Sequence, residues 1–379
     1  MARRAVRPVS GARYLRDMSI TAQLRDSVRL PGGRALVNGF ALESRGDGSC
    51  RALLRNGHEL EVHDLRELFA GERAPTVVFP LPWPRWDHGV HSVSPDGTFA
   101  VFSGQRAVRA MGTDGRTLWE YRHGCWGPEL GHPHTGDEQE VCRGLESGSC
   151  RVSDDGRLVW AHVMAEPEPG DRQERWVVLD ARDGRELAWL PLVDSAAAGS
   201  NHLSHPDGVH MGLGIGMGQD GVLLHWARWD GEQLTGWGVN EGLDRILMDV
   251  HPGHPGFLTV EHYGADLRLH ALDGTVTAEQ EPESADDDED EDETYWDYGC
   301  GFVDADTVIA STVDADEDPE QARHWLLDAH TLRIRGVITY PTGPVDGYVR
   351  PLGDGTWLTY DDRSETLHRW TQAAVPGTR

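Results

Sequence analysis

A chain of 379 residues, 38% hydrophobic and 26% charged, is long enough to bury a large core without disulfide staples. A formal net charge of −28 sets it against phosphate backbones and anionic lipid surfaces, so neither nucleic acid nor membrane is an expected partner. Five cysteines, an odd number, argue against a disulfide framework and point to the cytoplasm. No stretch approaches the roughly 18 apolar residues of a membrane helix. Lysine is absent, and arginine carries all the fixed positive charge. The basic start, residues 1–18, is followed by no apolar segment of the signal-peptide kind. It reads as a disordered arm, or as sequence ahead of a true start at Met18.

In chain order, the first periodic element is residues 19–30. Ile20, Ala22, Leu24, Val28 and Leu30 alternate onto one face of an extended strand. A turn phrase then recurs. Its clearest copies are His91-Ser-Val-Ser-Pro-Asp96-Gly97, Cys150-Arg-Val-Ser-Asp-Asp155-Gly156 and His202-Leu-Ser-His-Pro-Asp207-Gly208. Weaker copies lie at Gly46-Asp47-Gly48, His254-Pro255-Gly256, Asp304-Ala305-Asp306 and Gly353-Asp354-Gly355. The second turn residue falls at 48, 97, 156, 208, 256, 305 and 355, with separations of 49, 59, 52, 48, 49 and 50. Seven copies of about 50 residues, each joining two strands through a turn that tolerates positive φ, predict seven four-stranded blades. A second set of turns, Asp114-Gly115, Asp183-Gly184, Asp230-Gly231 and Asp273-Gly274, joins third strands to fourth. In the fourth copy Asp220-Gly221 adds the hairpin between strands two and three.

After the strand Thr366 to Trp370 the seventh copy lacks a fourth strand. A ring of blades must close or expose edges. The prediction is therefore an all-β chain, a seven-bladed β-propeller over 19–375, with residues 19–30 as the outer strand of the last blade, paired near Leu367. An insertion spans 124–147. The acidic run 281–293 repels itself and is expected to be a disordered loop.

The second copy, with its Ser-Pro-Asp-Gly turn, apolar strand and Trp119 in the last strand, resembles a WD40-type or bacterial WD40-like propeller repeat. The resemblance implies a scaffold that mostly binds proteins and implies no activity.

The loops entering the innermost strands share a character: Trp86-Asp87-His88, Asn201-His202, Asp249 with His251, Trp296-Asp297-Tyr298, and Asp346 with Tyr348. Counted back from each turn, these residues stand at similar heights and are expected to ring one opening, around a cation, ordered water or an arginine. The competing reading makes them turn and cap residues. Cys125, His132, His134 and Cys142 carry ligand types that zinc prefers, in no standard spacing. A divalent cation is the only cofactor suggested. No Gly-x-Ser-x-Gly elbow or P-loop is present, and Gly212–Gly218, lying between strands, reads as a place where blades approach closely. The function expected is a non-enzymatic binding scaffold, with a protein partner or small ligand at the channel mouth. Exposed Trp83, Trp86 and Trp126 would mark such a face, although Trp126 can equally be buried beneath its loop. The alternative is an enzyme, a metal-assisted hydrolase or lyase in the same mouth. A third reading is a sensor whose acidic loop meets a cation or basic partner.

Overall fold

The computed structural model describes residues 19–31, 40–45, 48–83, 89–126, 147–165, 173–192, 199–239, 244–253, 256–282, 294–314, 322–343, 345 and 348–374. The turn phrases fold as hairpins for a local reason. Gly97, Gly156 and Gly208 adopt φ of 69°, 72° and 74°, the left-handed region that glycine enters freely. Beside them Ser94 and Ser153 donate to the carboxylates of Asp96 and Asp155 at 2.7 and 2.6 Å. Those carboxylates accept the backbone N–H of Thr98 and Arg157. Two copies differ. Gly256 opens a strand rather than sitting in a turn, and Ala305 turns between Asp304 and Asp306 without glycine.

Each phrase begins an antiparallel four-strand unit. Blade one is Phe40–Ser44, Cys50–Asn56, Glu59–Asp64 and Val77–Pro80. Blade two is His91–Val93, Phe99–Ser103, Ala107–Gly112 and Thr117–Arg122. Blade three is Ser149–Val152, Leu158–Met164, Glu174–Asp180 and Glu186–Leu192. Blade four is Gly199–Ser204, His210–Gly216, Val222–Trp229 and Leu234–Val239. Blade five is Arg245–Val250, Gly256–Glu261, Leu267–Ala271 and Val276–Gln280. Blade six is Thr294–Asp304, Thr307–Asp314, Arg323–Asp328 and Ile334–Thr339. Blade seven takes Val349–Pro351, Thr356–Asp361 and Thr366–Gln372 from the end of the chain, and Ser19–Arg29 from its beginning.

The core lies between the blades. Seven apolar clusters each combine residues of two successive blades, and the last joins seven to one through Leu358, Leu367, Val28, Leu54 and Leu68. That succession closes the ring. Indoles pin some seams: Trp119 donates to the Ala181 carbonyl and Trp237 to that of Leu272, each in the following blade. Within blades six and seven, Trp325 and Trp370 donate to Thr312 and Thr359 on the neighbouring strand. Within the glycine run, Gly212 marks a close approach of two blades. A Cβ on Gly212 would stand 2.6 Å from Leu247 of blade five.

One element has no counterpart in the sequence reading. A five-residue helix, Leu65–Phe69, interrupts blade one, capped by Asp64, which accepts the N–H of Arg66 and Glu67. Its Leu65 and Leu68 are buried in the seam between blades seven and one. Among the described residues no helix is long and apolar enough to cross a membrane.

Two core histidines make stability depend on pH. Burial pushes His123 and His270 from the ordinary 6.5 down to about 4. As pH falls from 6.5 to 4, the unfolded chain takes up protons that these buried rings refuse. Each group therefore removes about 1.4 kcal/mol of stability per pH unit across that window, and above it the stability is fully present. Urea midpoints measured at pH 7, 5.5 and 4.5 should fall in that order. Equal midpoints would show that the rings are protonated in the folded state.

Candidate functional site

The inner strands line an axial channel with two cavities. One, about 470 Å³, lies on the side of the loops entering these strands and is lined by Asp297, Tyr298, Gly299, Cys300 and Tyr348. The other, about 370 Å³, lies on the side of the Asp-Gly turns. Gly48, Asp154, Pro206, Pro252 and Gly353 form its rim. Leu42, Met248 and Arg350 line both cavities, so Arg350 stands at the waist.

The residues expected around one opening are divided between the two ends. Asp297, Tyr298 and Tyr348 line the entry-side cavity, whereas His202 and Asp249 line the turn-side cavity. Trp86, Asp87, His88 and Asp346 lie outside the described residues. Trp296 reaches neither cavity: it is buried in the seam between blades five and six and donates to the Gln280 carbonyl. Counting residues from the turn misplaces these groups because the strands are irregular. The pairing slips between Leu247 and Asp249 in blade five and between Trp296 and Cys300 in blade six. Each slip changes a residue's height and the direction of its side chain.

Most of these groups already have partners. Asp249 is held by the backbone, accepting the N–H of Val250 at 2.9 Å and of Phe302 in the next blade at 2.8 Å. Burial nevertheless raises its pKa above the usual carboxylate range, opposed by Arg350. His202 accepts the Trp176 indole N–H at Nε2, 3.0 Å. Its proton is thereby assigned to Nδ1, which donates to Ser149 Oγ at 2.9 Å. Burial keeps this ring neutral, with its pKa well below 6.5. On the entry side Tyr298 is half exposed and donates to the His262 carbonyl at 2.6 Å, beside the exposed Tyr263. Burial pushes the Tyr348 phenol up to about 12. Tyr298 and Tyr263 put exposed aromatic surface at this end, while Trp83 and Trp126 are buried.

Two arrangements involve residues that the sequence reading did not name, although it expected an arginine in the channel. Ser200 Oγ lies 2.9 Å from His162 Nδ1, and His162 Nε2 lies 2.8 Å from Glu174. The Trp126 ring meets His162 edge-on, Ser200 is half-buried, and none of Ser200, His162 and Glu174 lines either channel cavity. The role of this Ser-His-Glu chain is to tie blade three to blade four. The second arrangement is a set of arginines inside a strongly acidic protein. Arg45, Arg151 and Arg350 all line the turn-side cavity. Arg45 and Arg151 pair with Glu43 and lie within 4 Å of Asp154. The Arg350 guanidinium shows no hydrogen bond or close ion pair among the described residues, its Nε is enclosed, and its charge is felt by the buried Asp249 carboxylate. A signal was present, since Arg151 and Arg350 each stand five residues before their turn glycines, Gly156 and Gly355.

Of the expected metal ligands, Cys125 is half-buried, and His132, His134 and Cys142 lie outside the described residues, as do residues 283–293 of the acidic run. Elsewhere His205, Asp207 and His210 bring three donor atoms within 4.8 Å of one another.

No protein-family model matches the chain, and no curated protein matches it. Solved structures do. The β-propeller domain of Myceliophteria thermophila Cps50 (Swd1) superposes with a TM-score of 0.53 at 11% identity, covering 92% of this chain and all 100% of that one. A chain of the mitotic checkpoint complex gives 0.54 at 12% identity, covering 99% of this chain and 97% of that one. At this identity the likeness is one of fold, and the chain is a β-propeller.

Proposed function

We propose that the chain is a non-enzymatic binding scaffold that receives an acidic group of a protein partner in its channel, with Arg350 as the receiving cation. The observation that carries this reading is Arg350 itself. It is a guanidinium at the channel waist, open to both cavities and without an ion pair. A planar fork of donors suits a carboxylate, and a partly desolvated site strengthens the pair. The protein's overall negative charge does not prevent this, because charges beyond about 8 Å are screened at physiological salt. The fold gives further support, since one compared chain is part of a multiprotein complex.

Calorimetry of the full chain with a hexaglutamate peptide tests the reading, with free glutamate as a small-ligand arm and hexaglutamine as a neutral arm. Wild type should bind hexaglutamate and not hexaglutamine. Arg350→Ala should weaken binding about thirtyfold or more, the usual result of losing one member of a desolvated charge pair. Its melting temperature should fall modestly, because the buried Asp249 carboxylate loses the charge that opposes its burial, so affinity is compared at a temperature where both proteins are folded. Unchanged peptide affinity in Arg350→Ala, or no binding by wild type, overturns the proposal.

A further inference from the structure

The hairpin turn of blade four departs from those of blades two and three at two positions. Where they have Ser94 and Ser153, it has His205; where they have Phe99 and Leu158, it has His210. The carboxylate between is retained. Asp207 accepts the N–H of Val209 at 3.0 Å, as Asp96 and Asp155 accept those of Thr98 and Arg157, and it also accepts the His210 N–H at 3.1 Å, whose counterparts Phe99 and Leu158 donate to the serine hydroxyls. The turn therefore keeps its geometry and gains an imidazole on either side of one carboxylate.

The rings are positioned rather than trailing in solvent. His205 Nδ1 is 3.1 Å from one oxygen of Asp207, and His210 Nδ1 is 2.6 Å from the other. The His205 ring meets Trp226 edge-on, and the His210 ring meets Trp237 edge-on. His205 is 5% exposed, and its Nε2 is enclosed with no hydrogen-bond partner among the described residues. Its Nδ1 faces conflicting demands. The Asp207 N–H, 3.2 Å away, needs a lone pair there, whereas the Asp207 oxygen needs a proton. A cation shared by the ring and the carboxylate relieves the repulsion between their lone pairs, in exchange for the long Asp207 N–H contact.

Two imidazoles and a carboxylate are the ligand set that borderline divalent transition ions prefer, and the indole contacts hold both rings in place beside the carboxylate. We propose that His205, Asp207 and His210 form a binding site for a divalent transition ion of the zinc, cobalt or nickel type. Three protein ligands leave at least one coordination position for water or for a side chain of a partner. The neighbouring Pro206 is on the rim of the turn-side cavity, so the ion would sit at that mouth. The inference does not depend on Arg350.

The test uses the full chain, stripped by a chelator and titrated with Co²⁺, read by visible absorption and calorimetry. A second readout is the melting temperature with and without Zn²⁺. The informative variant is His205→Ser with His210→Leu, which restores the residues of blade three's turn and so should fold. Wild type should take up one more equivalent of metal than this variant and should be stabilised by it. Removal of two ligands should cost more than the roughly tenfold to hundredfold loss that even an outer-shell change produces. Asp207→Asn should weaken the same equivalent. Uptake by the double variant equal to wild type, or no uptake by wild type at sub-millimolar metal, overturns the assignment.

Discussion

A chain lacking residues 1–31 is expected to lose its cooperative unfolding transition, whereas a chain lacking only residues 1–17 should melt like the full chain. The strand Ser19–Arg29 pairs with Thr366–Gln372 from Ala22 opposite Gln372 to Arg29 opposite Thr366. Its first residues also pair in parallel with Val337–Thr339, so it straps blade seven to blade six. Val28 and Leu30 are almost wholly buried in the seam between blades seven and one. Deleting two such side chains costs about 2–5 kcal/mol each, and a ladder of backbone hydrogen bonds is lost as well. Against a typical total of about 5–15 kcal/mol, the ring does not survive. Val28→Asp, which places a charge in the same seam without shortening the chain, should act in the same direction. Circular dichroism melts decide the matter. A sharp transition at the wild-type temperature in the longer truncation would show that blade seven closes without this strand.

The architecture was legible because its signal is local. A turn that needs positive φ leaves an Asp-Gly mark, and the marks repeat at the blade period even where the strands between them differ. The closing strand was legible by deduction, since alternating apolar residues at 20–30 matched the strand missing from the seventh blade. The site was less legible because it depends on register. Slips beside Asp249 and after Trp296 moved side chains that simple counting had placed together. The arginines were half legible: an arginine was expected among the channel carboxylates, but Arg350 was not singled out. The helix at 65–69 left no period to read, because five residues are too few for a helical repeat.

Glu43→Ala is expected to destabilise the fold by about 3–5 kcal/mol, far more than a typical channel-lining residue, because it leaves buried charge uncompensated. Glu43 joins three blades. It accepts the Ser92 hydroxyl of blade two at 2.6 Å, the Arg45 guanidinium of its own blade at 3.2 Å and that of Arg151 in blade three at 3.3 Å. Ser92 in turn accepts the Val152 N–H of blade three. Arg45 is itself almost wholly buried. It donates to the Val93 carbonyl, and burial lowers its pKa, opposed chiefly by Glu43. Without Glu43 the nearest carboxylate to Arg45 is Asp154 at 3.7 Å, which is too long for a good hydrogen bond. Removing Arg45 together with Glu43 takes out the stranded charge as well as its partner. The double variant Glu43→Ala with Arg45→Ala should therefore be less destabilised than the sum of the two single changes. Glu43→Gln should fall between wild type and Glu43→Ala, since it keeps the shape and the acceptor for Ser92. Urea unfolding of the four variants gives the coupling directly. Additive costs, or a Glu43→Ala loss below about 1 kcal/mol, would mean that the blades are held by their apolar seams alone and that the buried charges contribute nothing measurable.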